Sequence, residues 1–136
     1  MVTLALDTNV FVDLTQGRRP KVRERYIEAV LAAEVMLASV IVHHELQFGV
    51  FASRDPQAAA RHLADFVRDV VIEPLSREDV EVAARIREAL KRAGTPIGPY
   101  DLLIAGQALN RGWTLVTSNT REFSRIQDLS LQDWSA

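Results

Sequence analysis

Val2-Thr3-Leu4-Ala5-Leu6-Asp7-Thr8-Asn9 opens the chain with a short apolar run that stops at an acid and two small polar residues. Such a run reads as a buried strand ended by turn-forming side chains. The form recurs. Residues 34–38 hold Val35, Met36 and Leu37, residues 70–73 are stopped by Pro74, and residues 113–117 run into Ser118-Asn119-Thr120. The tail, 126–131, reads as a short edge strand. Helical spacing fills the gaps. Residues 21–33 place Val22, Tyr26, Ile27, Val30 and Leu31 on one stripe. Ser39 caps a mostly apolar helix over 40–51, and Asp55-Pro56 caps and starts another that runs to about 69. Ser76-Arg77-Glu78-Asp79 has the form of a capping box before a helix that ends near Gly94. A last long helix over 100–111 is closed by Gly112. Apolar strands without polar alternation, separated by helices, predict an α/β fold. It is a three-layer α/β/α arrangement around a small parallel sheet of about four to five strands.

The chain has 136 residues, enough for about one domain with a sizeable core. A hydrophobic share of 48% and a charged share of 25% are ordinary for a folded globular protein and exclude disorder. No apolar run is long enough to cross a bilayer, and the start lacks the pattern of a signal peptide. The chain has no cysteine, which removes disulfides, thiolate zinc sites and cysteine nucleophiles. A cytoplasmic protein with no membrane partner is expected.

Eighteen acids against 16 bases give a net charge of −2. A protein that grips nucleic acid by bulk charge is basic, so that class is excluded. An enzyme that gathers acids in one place and bases in another is not. Arg18, Arg19, Lys21, Arg23 and Arg25 form such a basic cluster. It reads either as a solvated helix face or as a surface for phosphates or an acidic partner.

In a parallel sheet, functional groups collect at the C-terminal ends of the strands. Asp7 and Asn9 follow the first strand, and Thr117, Ser118 and Asn119 follow the fourth. Glu45 stands in the apolar helix, where an unpaired carboxylate is costly. Asp101 opens the last long helix, and Glu122 follows the fourth strand. Singly, Asp7 could close an Asx-turn and Asp101 could serve the helix dipole. As a set, the four carboxylates would repel one another unless a cation neutralised them. Oxygen ligands alone suit Mg²⁺ or Mn²⁺, and such a cation activates water and stabilises a phosphodiester transition state. Other chemistries fit poorly. Phe48 stands where a zinc-protease motif begun by His44-Glu45 would need its second histidine. Gly94, Gly98 and Gly106 are not spaced as a phosphate loop, and no G-x-S-x-G elbow is present. His43, His44 and His62 read as surface or packing residues.

At these residues the chain resembles PIN-domain ribonucleases, and most closely the VapC toxins of type II toxin–antitoxin pairs. Leu4-Ala5-Leu6-Asp7-Thr8-Asn9 resembles the first motif of the family and Ser39 to Gly49, around Glu45, the second. Pro96 to Ala105, around Asp101, resembles the third, and Leu115 to Phe123 the fourth. Leu131-Gln132-Asp133-Trp134 matches an ending usual in one branch. Four motifs in order cover nearly the whole chain, so the resemblance implies one PIN domain over 1–136.

The resemblance implies a Mg²⁺-dependent endoribonuclease, with Mn²⁺ able to substitute, acting on structured RNA such as tRNA. Asp7, Glu45, Asp101 and Glu122 would be the catalytic and metal-holding acids, with Asp7 and Asp101 the best ligands. Thr8, Asn9, Thr117 and Asn119 would support them. Family members differ in whether the fourth acid falls at the position of Asn119 or of Glu122. Here the pair is Asn then Glu, so Glu122 is assigned and the number of metals stays open. A homodimer, a VapB-type antitoxin that blocks the site, and operator DNA reached only through that antitoxin are also implied. The alternative is a PIN fold that has lost catalysis and only binds RNA or protein. A DNA nuclease of related chemistry would need a further clamp that a chain this short has little room for.

Overall fold

The structure is a computed structural model, and it describes residues 2–136. Five strands alternate with seven helices among those residues. In chain order they are β1 (Thr3–Leu6), α1 (Thr8–Gln16), α2 (Pro20–Leu31), β2 (Val35–Ser39), α3 (Val40–Phe51) and α4 (Pro56–Val67). Then come β3 (Val71–Glu73), α5 (Arg77–Arg92), α6 (Pro99–Arg111), β4 (Thr114–Val116), α7 (Thr120–Phe123) and β5 (Ser130–Gln132).

The strands form one parallel sheet in the order β3-β2-β1-β4-β5. In β1, Leu4, Ala5 and Leu6 are all buried, as are Met36, Leu37 and Ala38 in β2. Consecutive buried residues point to opposite faces, so helices cover both sides and the three-layer expectation holds. The chain winds from β1 outward to β3, then crosses to the other side of β1 to lay down β4 and β5. The strand order therefore reverses between β1 and β4. Such a switch point opens a crevice at the strands' C-terminal ends.

Local sequence explains most boundaries. Ser39 Oγ accepts the Ile41 N–H at 3.1 Å and starts α3. Asp55 Oδ1 accepts the Ala58 N–H at 3.1 Å and starts α4, with Pro56 at its first position. Ser76 and Asp79 form the expected reciprocal capping box on α5. Gly112 closes α6 with a φ of 69°, a left-handed conformation that glycine adopts without strain.

The structure departs from the sequence reading at the tail, where the edge strand is Ser130–Gln132 rather than 126–131, and in two further places. Residues 8–16 are a helix, not a turn: Asp7 is its N-cap and Gly17, at φ 66°, its C-cap. On α2, Val22, Tyr26 and Ala29 face the core, whereas Ile27, Val30 and Leu31 are exposed. The expected stripe is therefore rotated toward Ala29.

Helices α5 and α6 pack closely. A Cβ added to Gly106 on α6 would lie 2.6 Å from the Ala83 Cβ and 2.8 Å from the Ala83 Cα and N. Beside that contact, the inaccessible Asp79 of α5 accepts from Arg111 at 2.8 and 3.0 Å and from Asn110 at 2.8 Å. Burial pushes the Asp79 carboxyl up, but Arg111, the Ser76 N–H and Asn110 outweigh it and hold the pKa at about 2. This latch fixes α6, and with it the helix turn that carries Asp101.

Candidate active site

Asp7 leaves β1 at the switch point and is 4% exposed. One carboxylate oxygen caps α1 by accepting the Thr8 N–H at 2.8 Å. The other accepts the Thr117 hydroxyl at 2.8 Å and the Asn9 amide at 3.2 Å. Thr117 lies just past β4, so the acid is held from both strands that flank the crevice. Asn9 ties the same corner further: its Nδ2 also lies 3.1 Å from the Thr117 Oγ1, and its Oδ1 accepts the Ser118 N–H at 3.2 Å. Burial raises the Asp7 pKa, and the Glu45 charge adds to the rise. Thr117, the Thr8 N–H and Asn9 act against them without cancelling them.

The other acids arrive from separate elements. Glu45 is half-buried on α3, and its Oε1 accepts the Thr8 hydroxyl at 2.8 Å. Asp101 stands in the first turn of α6. Burial, and then the charges of Asp7, Glu45 and Glu122, push its pKa up from 3.8 to about 6. Glu122 sits on α7, and its Oε2 accepts the Asn119 amide at 3.1 Å. Asn119 in turn donates its N–H to the Thr117 Oγ1 at 3.0 Å.

Among the described residues, no ion pair joins Asp7, Glu45, Asp101 or Glu122 to a basic side chain. Acidic repulsion without a resident cation is what a metal-holding donor set looks like chemically. The acids are not drawn together as arranged: no three Asp, Glu or His side chains among the described residues frame an ion.

Family membership follows from a match over most of the chain. The PIN domain model matches residues 4–129. The chain belongs to the PIN-domain family. Within that family it is 34% identical over 135 residues to a tRNA(fMet)-specific endonuclease VapC of Shigella flexneri, covering 99% of this chain and 100% of that one. It is similar in structure to the toxin–antitoxin complex VapBC2 of Rickettsia felis bound to a promoter DNA fragment. There the TM-score is 0.90 at 31% identity, with 98% of this chain and 99% of that chain covered. DNA-bound VapBC of Salmonella typhimurium gives 0.89 at 33% identity, covering 98% and 99%.

Hydrogen bonds link seven of the expected residues, Asp7, Thr8, Asn9, Glu45, Thr117, Asn119 and Glu122, whereas Asp101 shares none of them. The basic cluster does not join them: Arg18, Arg19, Lys21, Arg23 and Arg25 are exposed, with Arg19 near Asp13 and Arg25 near Glu28, each at 3.8 Å. The sequence reading missed a groove of about 320 Å³ that runs from Thr8 and Glu45 along Val12, Leu46, Val50 and Leu63. It lies between α1, α3 and α4, and its absence from the reading followed from the absence of α1. The spacing of Val10, Phe11 and Leu14 was the available signal. All three are buried.

Proposed function

We propose that the chain is the toxin of a type II toxin–antitoxin pair, an endoribonuclease of the VapC branch that hydrolyses phosphodiester bonds in RNA. The observation that carries this reading is the hydrogen-bonded set at the switch point, in which Thr8 joins Asp7 to Glu45 while Thr117 and Asn119 join Asp7 to Glu122. Asp101 opens α6, and the charges of Asp7, Glu45 and Glu122 help to raise its pKa. The similar VapC and VapBC proteins support the biology, and the tRNA-specific relative supports structured RNA such as tRNA as the substrate class. The whole chain, 1–136, works as one PIN domain.

The donor set fits a hard divalent cation, because it offers carboxylate oxygens and no sulfur. Mg²⁺ is the cofactor and Mn²⁺ substitutes. When bound, the cation offsets negative charge on the phosphate and lowers the pKa of water. Asp7 and Asp101 are the main ligands, with Glu45 and Glu122 beside them. Asp7 is suited to the task because Thr117, Asn9 and the Thr8 N–H hold its oxygens in place. Thr8 orients Glu45, and Asn119 orients Glu122.

The same reading gives the partners. A VapB-type antitoxin blocks the site, and the groove beginning at Thr8 and Glu45 offers apolar walls to one of its segments. Operator DNA is met through that antitoxin. Phe48 and Phe51, 68% and 75% exposed on α3, give a second copy of the chain an apolar face for a homodimer. No helix among the described residues is long and apolar enough to cross a membrane, which accords with action in the cytoplasm.

One observation favours a second reading, a PIN fold that only binds: no three of the acids frame an ion as arranged. Mn²⁺ titration by calorimetry separates the two. The nuclease reading expects binding that is lost in Asp7→Asn and in Asp101→Asn, together with RNA cleavage lost in both and the fold retained. Full cleavage in both variants would overturn the assignment.

A further inference from the structure

Among the described residues, no basic side chain pairs with Asp7, Glu45, Asp101 or Glu122. The acids themselves offer a polyanion no attraction. Holding RNA there calls for contacts that do not depend on charge. Nucleobases offer one, because every base has an apolar face that stacks on aromatic rings.

Two exposed aromatic rings adjoin two of the acids along the chain. His44 immediately precedes Glu45 on α3, and Tyr100 immediately precedes Asp101 on α6. Their ring centroids are 5.5 Å apart with the planes at 72°, so the pair bridges α3 and α6 beside the acids. Both are exposed, Tyr100 by 47%. An edge-to-face pair leaves ring faces open to a third ring. A structural aromatic pair would be expected in the core, as with Tyr26 against the half-buried Phe66, where the Tyr26 hydroxyl donates to the Phe66 carbonyl. Tyr100 has no such hydrogen bond among those of the described residues.

We propose that His44 and Tyr100 form a platform on which a nucleobase next to the cleaved phosphodiester stacks. The inference rests on the ribonuclease reading and deepens it. The two residues bind and position RNA and take no part in the bond-breaking step. Neither a metal nor a particular base identity is needed for the contact, so the platform tolerates sequence and registers strand position.

The test is steady-state cleavage of bulk tRNA by the Mn²⁺-loaded protein. Tyr100→Ala and His44→Ala each raise KM, in the range of about fivefold to a hundredfold expected for loss of one stacked base. The value of kcat stays near that of the parent. Tyr100→Phe restores the KM lost in Tyr100→Ala, because the ring and not the hydroxyl makes the contact. With the cut site mapped, an RNA oligonucleotide with abasic nucleotides beside it loses the same factor with the parent protein and nothing further with Tyr100→Ala. An unchanged KM in both alanine variants, or an abasic penalty equal in parent and Tyr100→Ala, overturns the proposal. So does a KM that rises only together with loss of the dimer by light scattering, which would make the pair a subunit contact. If the parent protein cuts neither tRNA nor ribosomal RNA with Mn²⁺ or Mg²⁺, the ribonuclease reading fails first and the platform falls with it.

Discussion

The Thr117 hydroxyl has one proton and two lone pairs, and all are used. The proton goes to Asp7, and the lone pairs take the Asn119 N–H and the Asn9 amide. One side chain of β4's end therefore couples the acid after β1 to the loop that carries Glu122. Removing it has a calculable direction. The Thr117 bond favours the charged form of Asp7, so Thr117→Val raises the Asp7 pKa further. The acid limb of the pH–rate profile moves to higher pH in Thr117→Val and stays put in Thr117→Ser. Loss of a buried hydrogen-bonded group also costs about 1–3 kcal/mol of stability. Denaturant unfolding reads the second effect and the pH profile the first. A profile unmoved in Thr117→Val would remove Thr117 from the site's electrostatics. The residue types were legible in the sequence because they fall after apolar runs. Their mutual bonds were not, since Asp7 and Thr117 are 110 residues apart and only the β1–β4 pairing brings them together.

At the scale of elements, the α5–α6 contact decides where Asp101 stands. Glycine to alanine within a helix is ordinarily stabilising by about 1 kcal/mol. At Gly106 the sign reverses, because the new Cβ meets the Ala83 backbone at 2.8 Å and backbone cannot swing aside. Gly106→Ala is expected to destabilise by about 1–3 kcal/mol or more, measured by chemical denaturation. Ala83→Gly in that background recovers only part, since it removes the 2.6 Å contact with Cβ and leaves those with Cα and N. Complete recovery would show that the helices separate freely. The sequence offered the helices themselves with good bounds, because Ser39, Asp55, Ser76 and Gly112 are local signals that tertiary structure had only to obey. It hid α1, because Asp7 followed by Thr8 and Asn9 is the pattern of a turn and of an N-cap alike. What distinguishes them is the burial of Val10, Phe11 and Leu14 against the core, which is a tertiary fact. The Ala29 face of α2 was hidden for a related reason: Ile27, Val30 and Leu31 are more apolar than the residue that is buried, so hydropathy alone rotates the stripe the wrong way.

For the whole molecule, the acid cluster means that stability, charge and metal are linked. The Asp101 pKa is raised from 3.8 to about 6 in the folded protein. The protonated form is thus favoured by folding. The associated stability is fully present below pH 3.8 and is lost as pH rises through about 6. At pH 7 the chelated protein carries the full repulsion. Asp101→Asn removes one of the four charges at nearly constant shape. The variant should therefore unfold at a higher temperature than the parent in chelator at pH 7, and the gap should close near pH 4. Asp79 does not confuse this window, because its latch to Arg111 keeps its pKa near 2, so its contribution is lost only in stronger acid. Added Mn²⁺ reverses the order. Ligand at a hundred times its Kd stabilises the parent by about 2.7 kcal/mol, while Asp101→Asn has lost a ligand and gains less. Thermal unfolding of both proteins at two pH values, with and without Mn²⁺, measures every arm. A variant less stable than the parent in chelator at pH 7 would mean that the carboxylates are held by something other than a cation. The near balance of 18 acids and 16 bases would then conceal no separation of charge by function.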